Sequence, residues 1–378
     1  MDKEQIEFTN FFERTKKFAK ENIVLLIAFM AAIITSFIVP PDKEYLGYFD
    51  LKTLSCLFSV LAVVCALRNI RFFYTLAKEI VRRFKTARVA ILALVYITFI
   101  GSMLIANDMA LLTFLPLGFF ILHTTKKKKY LAFTFIMQNI AANLGGMLTP
   151  FGNPQNLYLY SKFNIPDGEF VKIMLPPFLL AITLITICCL VFIKNEKLEI
   201  ESEKSSLPIH RVAIYLVLFA IAIMMVFRFM AFWIGLIIII LALLFLDRKA
   251  LKQVDYGLLF TFVFFFIFAG NMGRILVVRD FFSHLLNINT LVFSAISCQF
   301  ISNVPSAILL SQFTDNYREL LLGVNIGGAG TLIASLASLI TFKEYSKQDP
   351  NNVGSYLLKF SLFNFGFLII LTLFCLML

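Results

Sequence analysis

The sequence predicts an all-α polytopic membrane protein, an inverted-repeat bundle of about nine full spans with two re-entrant hairpins and two discontinuous helices. Three observations carry this expectation. The 378 residues are 60% hydrophobic and only 15% charged, with 44 phenylalanines, a composition far from that of soluble domains. Apolar runs recur at the length a helix needs to cross the hydrocarbon, about 20 residues. Finally, polar interruptions fall inside some of these runs, in the same order in each half.

Taken in order, residues 1–21 are polar and amphipathic and carry no cleavable-signal pattern, so they read as a cytoplasmic segment ahead of an uncleaved anchor. The first repeat covers 22–193. Its two opening spans lead to the amphipathic stretch RFFYTLAKEIVRRFK (71–85), suited to an interfacial arm. A hairpin is placed at 88–123, because basic residues flank it at both ends and one straight span would put them on opposite faces. Its tip falls at Asn107 and Asp108. Backbone that re-enters at membrane depth is tolerated only inside protein or beside an aqueous cavity.

A broken helix comes next, at 130–163, where the sequence reads TPFGNPQNLYLY from Thr149. Pro150 and Pro154 each remove a backbone donor, and Gly152 permits the turn between them. The positive end of the restarted helix suits an anion, while freed carbonyls and the amides of Asn153, Gln155 and Asn156 suit a dehydrated cation. After one more span, a polar linker at 194–209 divides the chain. An extra span at 210–228 then inverts the second repeat relative to the first. That second repeat, 229–378, has two spans, a second amphipathic arm (274–286), a hairpin at 287–317 with its tip at 302–305, a broken helix at 318–345 and a last span.

The two halves match in detail. GGMLTPFGNPQNLYLYSKF (145–163) lies over GGAGTLIASLASLITFKEY (327–345) without a gap. Gly145 meets Gly327, Gly146 meets Gly328, Thr149 meets Thr331 and Leu157 meets Leu339. Ser335 and Ser338 occupy the positions of Asn153 and Asn156, and Asn107 corresponds to Asn303. Duplication of this kind is how many transporters are built.

The net charge of +11 is loop charge rather than a nucleic-acid surface. Roughly 25 of the 34 Lys and Arg fall in connections on one face against roughly 8 on the other, which makes the first face cytoplasmic. The N-terminus is therefore expected inside the inner membrane and the C-terminus outside, with the lysine run 126–129 facing lipid headgroups. Six cysteines lie inside apolar segments without metal spacing, and His123, His210 and His284 are scattered near helix ends. No nucleophile and base pair, metal cluster or phosphate loop argues for an enzyme. Asp108 is the one carboxylate expected near the midplane, where its charge costs at least about 2.5 kcal/mol unless paired. Desolvation favours its neutral form until a cation arrives, so it is expected to bind the coupling ion. Capping of the second hairpin helix is the structural alternative. No buried lysine or arginine is expected to stand ready for an anion.

The segments ANDMALLTFLP, LTPFGNPQNLYLYS and SNVPSAILLS resemble signature regions of the ion transporter superfamily, which includes divalent-anion/sodium symporters, arsenite permeases and sodium/proton antiporters. The resemblance covers most of the chain after the first helix. It implies a secondary carrier of a small anion or oxyanion, of the dicarboxylate or arsenite class, coupled to a sodium ion or proton and needing no other cofactor. It also implies a homodimer with an elevator-type motion. Dicarboxylate members carry Ser-Asn-Thr at both tips, whereas this chain has Ala106-Asn107-Asp108 and Ser302-Asn303-Val304, which look closer to the arsenite-permease and antiporter branch. By motif position, Asn107, Thr149, Asn153, Asn156, Ser302, Asn303, Ser306, Thr331 and Ser335 are expected at the substrate. Asn107, Asp108, Gly152, Asn153, Asn303 and Gly328 are expected at the coupling ion, with sodium as the metal. A sodium/proton antiporter using the same residues is the alternative, and a channel is disfavoured because two polar centres of opposite orientation suit alternating access.

Overall fold

In the computed structural model the described residues are 23–198 and 207–378; the predicted segment 1–21 and part of the linker lie outside them. The described chain is helical apart from one bridge between Thr86 and Lys197. Helices α1 (Ile23–Ile38) and α2 (Leu51–Asn69) are followed by the arm α3 (Phe72–Arg82) and the hairpin α4 (Ala87–Ile105) and α5 (Asn107–Thr124). The broken helix consists of α6 (Leu131–Gly145) and α7 (Pro154–Lys162), and α8 (Asp167–Phe192) completes the half. Beyond the linker, α9 (Ile209–Val226) precedes a second series: α10 (Phe232–Leu246), the short α11 (Arg248–Lys252), α12 (Tyr256–Arg274) and the arm α13 (Leu276–Ile288). Then come the hairpin α14 (Thr290–Ile301) and α15 (Asn303–Leu310), the broken pair α16 (Tyr317–Ile326) and α17 (Leu336–Gln348), and α18 (Val353–Leu376).

The duplication read from the sequence is present in three dimensions. In the first half α4 packs on α6, α5 on α6 and α6 on α8; in the second α14 packs on α16, α15 on α16 and α16 on α18. Between halves, α1 lies on α12 as α10 lies on α2, and α15 meets α7 as α5 meets α17. Paired caps repeat as well. Asp42 caps the turn after α1 and receives Arg274 at the end of α12, with Nη2 to Oδ2 at 2.7 Å. Asp247 caps α11 and accepts from Asn69 at the end of α2, with Nδ2 to Oδ2 at 3.0 Å.

Both hairpins turn through one residue in the same unusual backbone conformation. Ala106 has φ 64° and ψ 152°, and Ser302 has φ 73° and ψ 157°. Such geometry in a residue bearing a Cβ costs on the order of 1–3 kcal/mol and persists where surrounding contacts fix it, often at functional sites. In each case the next residue is an asparagine whose Oδ1 accepts the following backbone N–H at 2.9 Å, Asp108 N for Asn107 and Val304 N for Asn303.

The aligned glycines explain how the hairpins dock. A Cβ on Gly145 would stand 2.2 Å from the Phe99 carbonyl oxygen on α4, and one on Gly327 would stand 2.9 Å from the Ala295 Cα on α14. Only glycine allows these helices to approach so closely. Gly145→Ala is expected to destabilise the protein by about 1–3 kcal/mol, as overpacked cores do, read as a lower melting temperature in detergent.

Two features differ from the sequence expectation. Among the described residues eight helical segments are long and apolar enough to cross a membrane, and they include both arms of the first hairpin, at 19 and 18 residues, but not α1 or α10, at 16 and 15. The second hairpin is much shorter, with arms of 12 and 8 residues. A hairpin returns the chain to its starting face whatever its arm length, so the charge argument had no access to this asymmetry. The start of the linker is also no plain polar tether. Leu198 is buried and its N–H donates to the Lys85 carbonyl at 2.9 Å. Glu196 takes Lys127 and Lys129, each at 2.5 Å, and the Tyr130 hydroxyl at 2.9 Å.

Lys127, Lys129 and Tyr130 hold the Glu196 carboxyl at about 2, below the usual carboxylate range. A depressed folded value means that its contribution is complete above the ordinary value of 4.5 and disappears as pH falls through the folded one. Glu196→Gln is therefore expected to lower the melting temperature at neutral pH, with the difference from wild type shrinking as pH is taken from 4.5 towards 2 in a pH series of melts.

Candidate functional site

Four helices begin inside the bundle at the predicted interruptions. Helix α5 starts at Asn107 and α15 at Asn303, while α7 starts after Asn153 and α17 after Ser335. Each start leaves backbone N–H groups without intrahelical partners and carries the positive end of a helix dipole.

Buried asparagine amides join these starts. Asn107 Nδ2 donates to Asn143 Oδ1 at 3.2 Å. Asn153 Nδ2 donates to the Asn143 carbonyl and to Asn325 Oδ1, both at 3.4 Å. Asn325 Nδ2 donates in turn to Asn156 Oδ1 at 2.6 Å. Asn156 Nδ2 holds the broken segment together through the carbonyls of Gly146 and Met147 at 3.2 Å and Thr149 at 3.3 Å. Asn303 completes the group: a Cβ on Gly328 would lie 3.1 Å from its Nδ2 and 3.8 Å from Asn143 Oδ1. All six asparagines are buried.

The structure thus brings together Asn107, Asn153, Asn156, Asn303 and Gly328. It separates others from them. Thr149 donates to the Met103 carbonyl on α4 at 2.6 Å, and Thr331 to the Gln299 carbonyl on α14 at 3.0 Å. Ser306 pairs with Ser297 inside the second hairpin at 2.9 Å. These three hydroxyls fasten breaks and hairpins and stand outside the amide group. Ser335 and Ser338 form a neighbouring cluster in which Asn139 Nδ2 donates to Ser338 Oγ at 3.2 Å. Ser302 donates to the Ala334 carbonyl at 3.3 Å, tying the second tip to the break before α17. Gly152 contributes close approach, since a Cβ there would stand 2.3 Å from the Gly146 carbonyl oxygen.

Asn143 and Asn325, at the centre of the group, escaped the sequence reading. They stand two residues before the aligned glycine pairs, in AANLGG and GVNIGG, so extending that alignment by two positions would have found them. Asp108 lies in the first turn of α5, where a carboxylate suits the helix dipole. The structural alternative, capping by Asp108, is not seen, since the start of α5 has no side-chain cap hydrogen bond; the Asp108 N–H itself is taken by Asn107 Oδ1. Asp108 Oδ1, Asn143 Nδ2 and Asn153 Oδ1 are buried without a hydrogen-bond partner.

One half-buried cation lies beside α5. Arg68, at the end of α2, points Nη1 at Met109 Sδ, 3.4 Å away and next in sequence to Asp108. Among the described residues no group of three His, Cys, Asp or Glu side chains is placed to hold a metal.

Comparison with known proteins bears on this arrangement. The family described as citrate transporter, CitMHS, matches residues 14–316. The uncharacterized transporter MJ0456 of Methanocaldococcus jannaschii is 34% identical over 293 residues, 77% of this chain and 80% of that protein. The inner membrane protein YbiR of Escherichia coli is 27% identical over 326 residues, 83% of this chain and 85% of that protein. Among solved structures, the YdaH transporter of Alcanivorax borkumensis superposes with a TM-score of 0.54 over 93% of this chain and 96% of that one, at 12% identity. That likeness concerns the fold alone.

Proposed function

The chain belongs to the citrate transporter family, and from that premise we propose that it is a secondary active carrier of a small anion, coupled to sodium or protons. It is a multi-pass membrane transporter and not an enzyme. Citrate and related carboxylates are the first substrates to test, given the family; an inorganic oxyanion is the second class. The observation that carries the reading is the meeting of three interrupted helix starts, at Asn107, Asn153 and Asn303, around amides from both halves, with the fourth start, after Ser335, in a neighbouring cluster. Helix starts attract anions without a fixed charge, and neutral amides release their guest readily. Asp108, with its unpartnered buried oxygen, is the coupling-ion residue.

The two halves form inverted repeats, 22–193 and 229–378, each with a re-entrant hairpin whose tip stands at the depth of the helix breaks. Within each protomer of a homodimer, α4 to α8 and α14 to α18 move as one body against α1, α2 and α9 to α12, an elevator-type cycle. The arms α3 and α13 join the two parts. Basic loops put the N-terminus inside and the C-terminus outside the inner membrane. Uptake of labelled citrate into proteoliposomes under separately imposed sodium, proton and voltage gradients tests the reading. Saturable accumulation that follows one ion gradient is expected. Cation exchange that needs no anion would replace this reading by the sodium/proton antiporter.

A further inference from the structure

We infer that the cavity between α2, α3 and α5 is an electropositive docking port through which a multiply charged anion approaches the amide site. The cavity measures about 360 Å³ and is lined by Arg68, Arg71, Phe73 and Tyr74 on one side and by Leu112, Thr113 and Pro116 of α5 on the other. Residues three and four apart share a helix face, so its α5 wall continues through Met109 and Asp108 towards the start of the helix at Asn107. Arg68 stands at that inner end, against Met109, and Arg71 stands at the outer rim, exposed in a left-handed turn at the head of α3.

The two halves differ here in a way that isolates the arginines. At the corresponding corner of the second half α15 packs against α12. The basic residue there, Arg274, is neutralised by Asp42 and Glu44, at 2.7 and 3.3 Å. In the first half the residue held by the matching aspartate is the neutral Asn69. Two carboxylates of the neighbouring helices serve as caps, Asp247 on α11 and Asp255 on α12. Neither Arg68 nor Arg71 forms an ion pair among the described residues. Two cations beside low-dielectric walls focus a positive potential into the cavity, and a planar guanidinium fork matches a carboxylate. The port rests on the anion-carrier reading for its purpose, but its charge preference is measurable without transport.

The test places one cysteine on the cavity wall, Leu112→Cys, where the native side chain is 47% exposed. A second variant, Tyr74→Cys, reads the opposite wall should the first fold poorly. Full-length protein in detergent is labelled with sulfonatoethyl methanethiosulfonate or its trimethylammonium analogue, with wild-type protein as the blank for the six native thiols. Relative to a free thiol, the anionic reagent is expected to react about 10-fold faster than the cationic one. The combined Arg68→Gln and Arg71→Gln changes should bring that ratio near one. No anionic preference in the parent, or a preference that survives loss of both arginines, overturns the port. Preference without uptake of either citrate or an inorganic oxyanion would instead leave the port standing and remove the carrier reading.

Discussion

Asn325→Ala is expected to reduce uptake by about 10²-fold while leaving a folded protein. Asn325 is the bridge between halves: its Nδ2 donates to Asn156 Oδ1 at 2.6 Å and to the Leu321 carbonyl at 2.8 Å, and its Oδ1 accepts from Asn153 at 3.4 Å. Truncation strands Asn156 Oδ1 and leaves Asn153 with one long bond to a carbonyl. Each buried amide atom left unpaired costs about 1–3 kcal/mol, and a loss of about 2.7 kcal/mol in the arrangement that binds the guest is a factor of 10² in rate. Asn143→Ala should cost less, because its side chain accepts only from Asn107, while its backbone carbonyl, which the substitution leaves in place, accepts from Asn153. Uptake is measured beside a melting curve of each variant. A folded Asn325→Ala protein with wild-type uptake would mean that the amide group is structural only.

The second large effect concerns coupling. Asp108→Asn keeps the shape and the backbone bond to Asn107 but removes the ionisable group. Substrate exchange between equal compartments is expected to persist within several-fold, while accumulation driven by an imposed sodium or proton gradient is lost. A carboxylate at this depth is costly unless a cation or proton joins it, and without it the ion has no charge to bind. Gradient-driven uptake by Asp108→Asn that keeps the wild-type sodium and pH dependence would remove Asp108 from the coupling role.

The parts of this molecule that the sequence disclosed are those where local chemistry contradicts a continuous apolar helix. Pro150, Gly152 and Pro154 announce one break, and Asn107 with Asp108 announces one tip. At Asn303 the second tip is visible because a proline stands two residues later. Glycine pairs at 145 and 327 gave the duplication. The features that stayed hidden depend on tertiary proximity. Asn143 and Asn325 sit within helical apolar runs, where a single asparagine carries no local signal. Arg68 looked like one more basic residue at the end of a span, and only the fold of α3 beside α5 turns it to Met109. The partners of Thr149, Thr331 and Ser306 were hidden for the same reason: the first two donate to carbonyls of the hairpin helices α4 and α14, and Ser306 pairs with the Ser297 hydroxyl. The carboxylate of Glu196 likewise gave no hint that it gathers the lysines at the base of the first hairpin.

The central claim is that both halves contribute to one site that alternates its access. Counterflow measures it most directly: proteoliposomes loaded with unlabelled citrate are diluted into labelled citrate, and internal label is tracked over time. The account predicts a saturable transient overshoot of label above equilibrium, abolished alike by Asn107→Ala in the first half and Asn303→Ala in the second. Non-saturating equilibration without overshoot, or an overshoot that survives both substitutions, would contradict it.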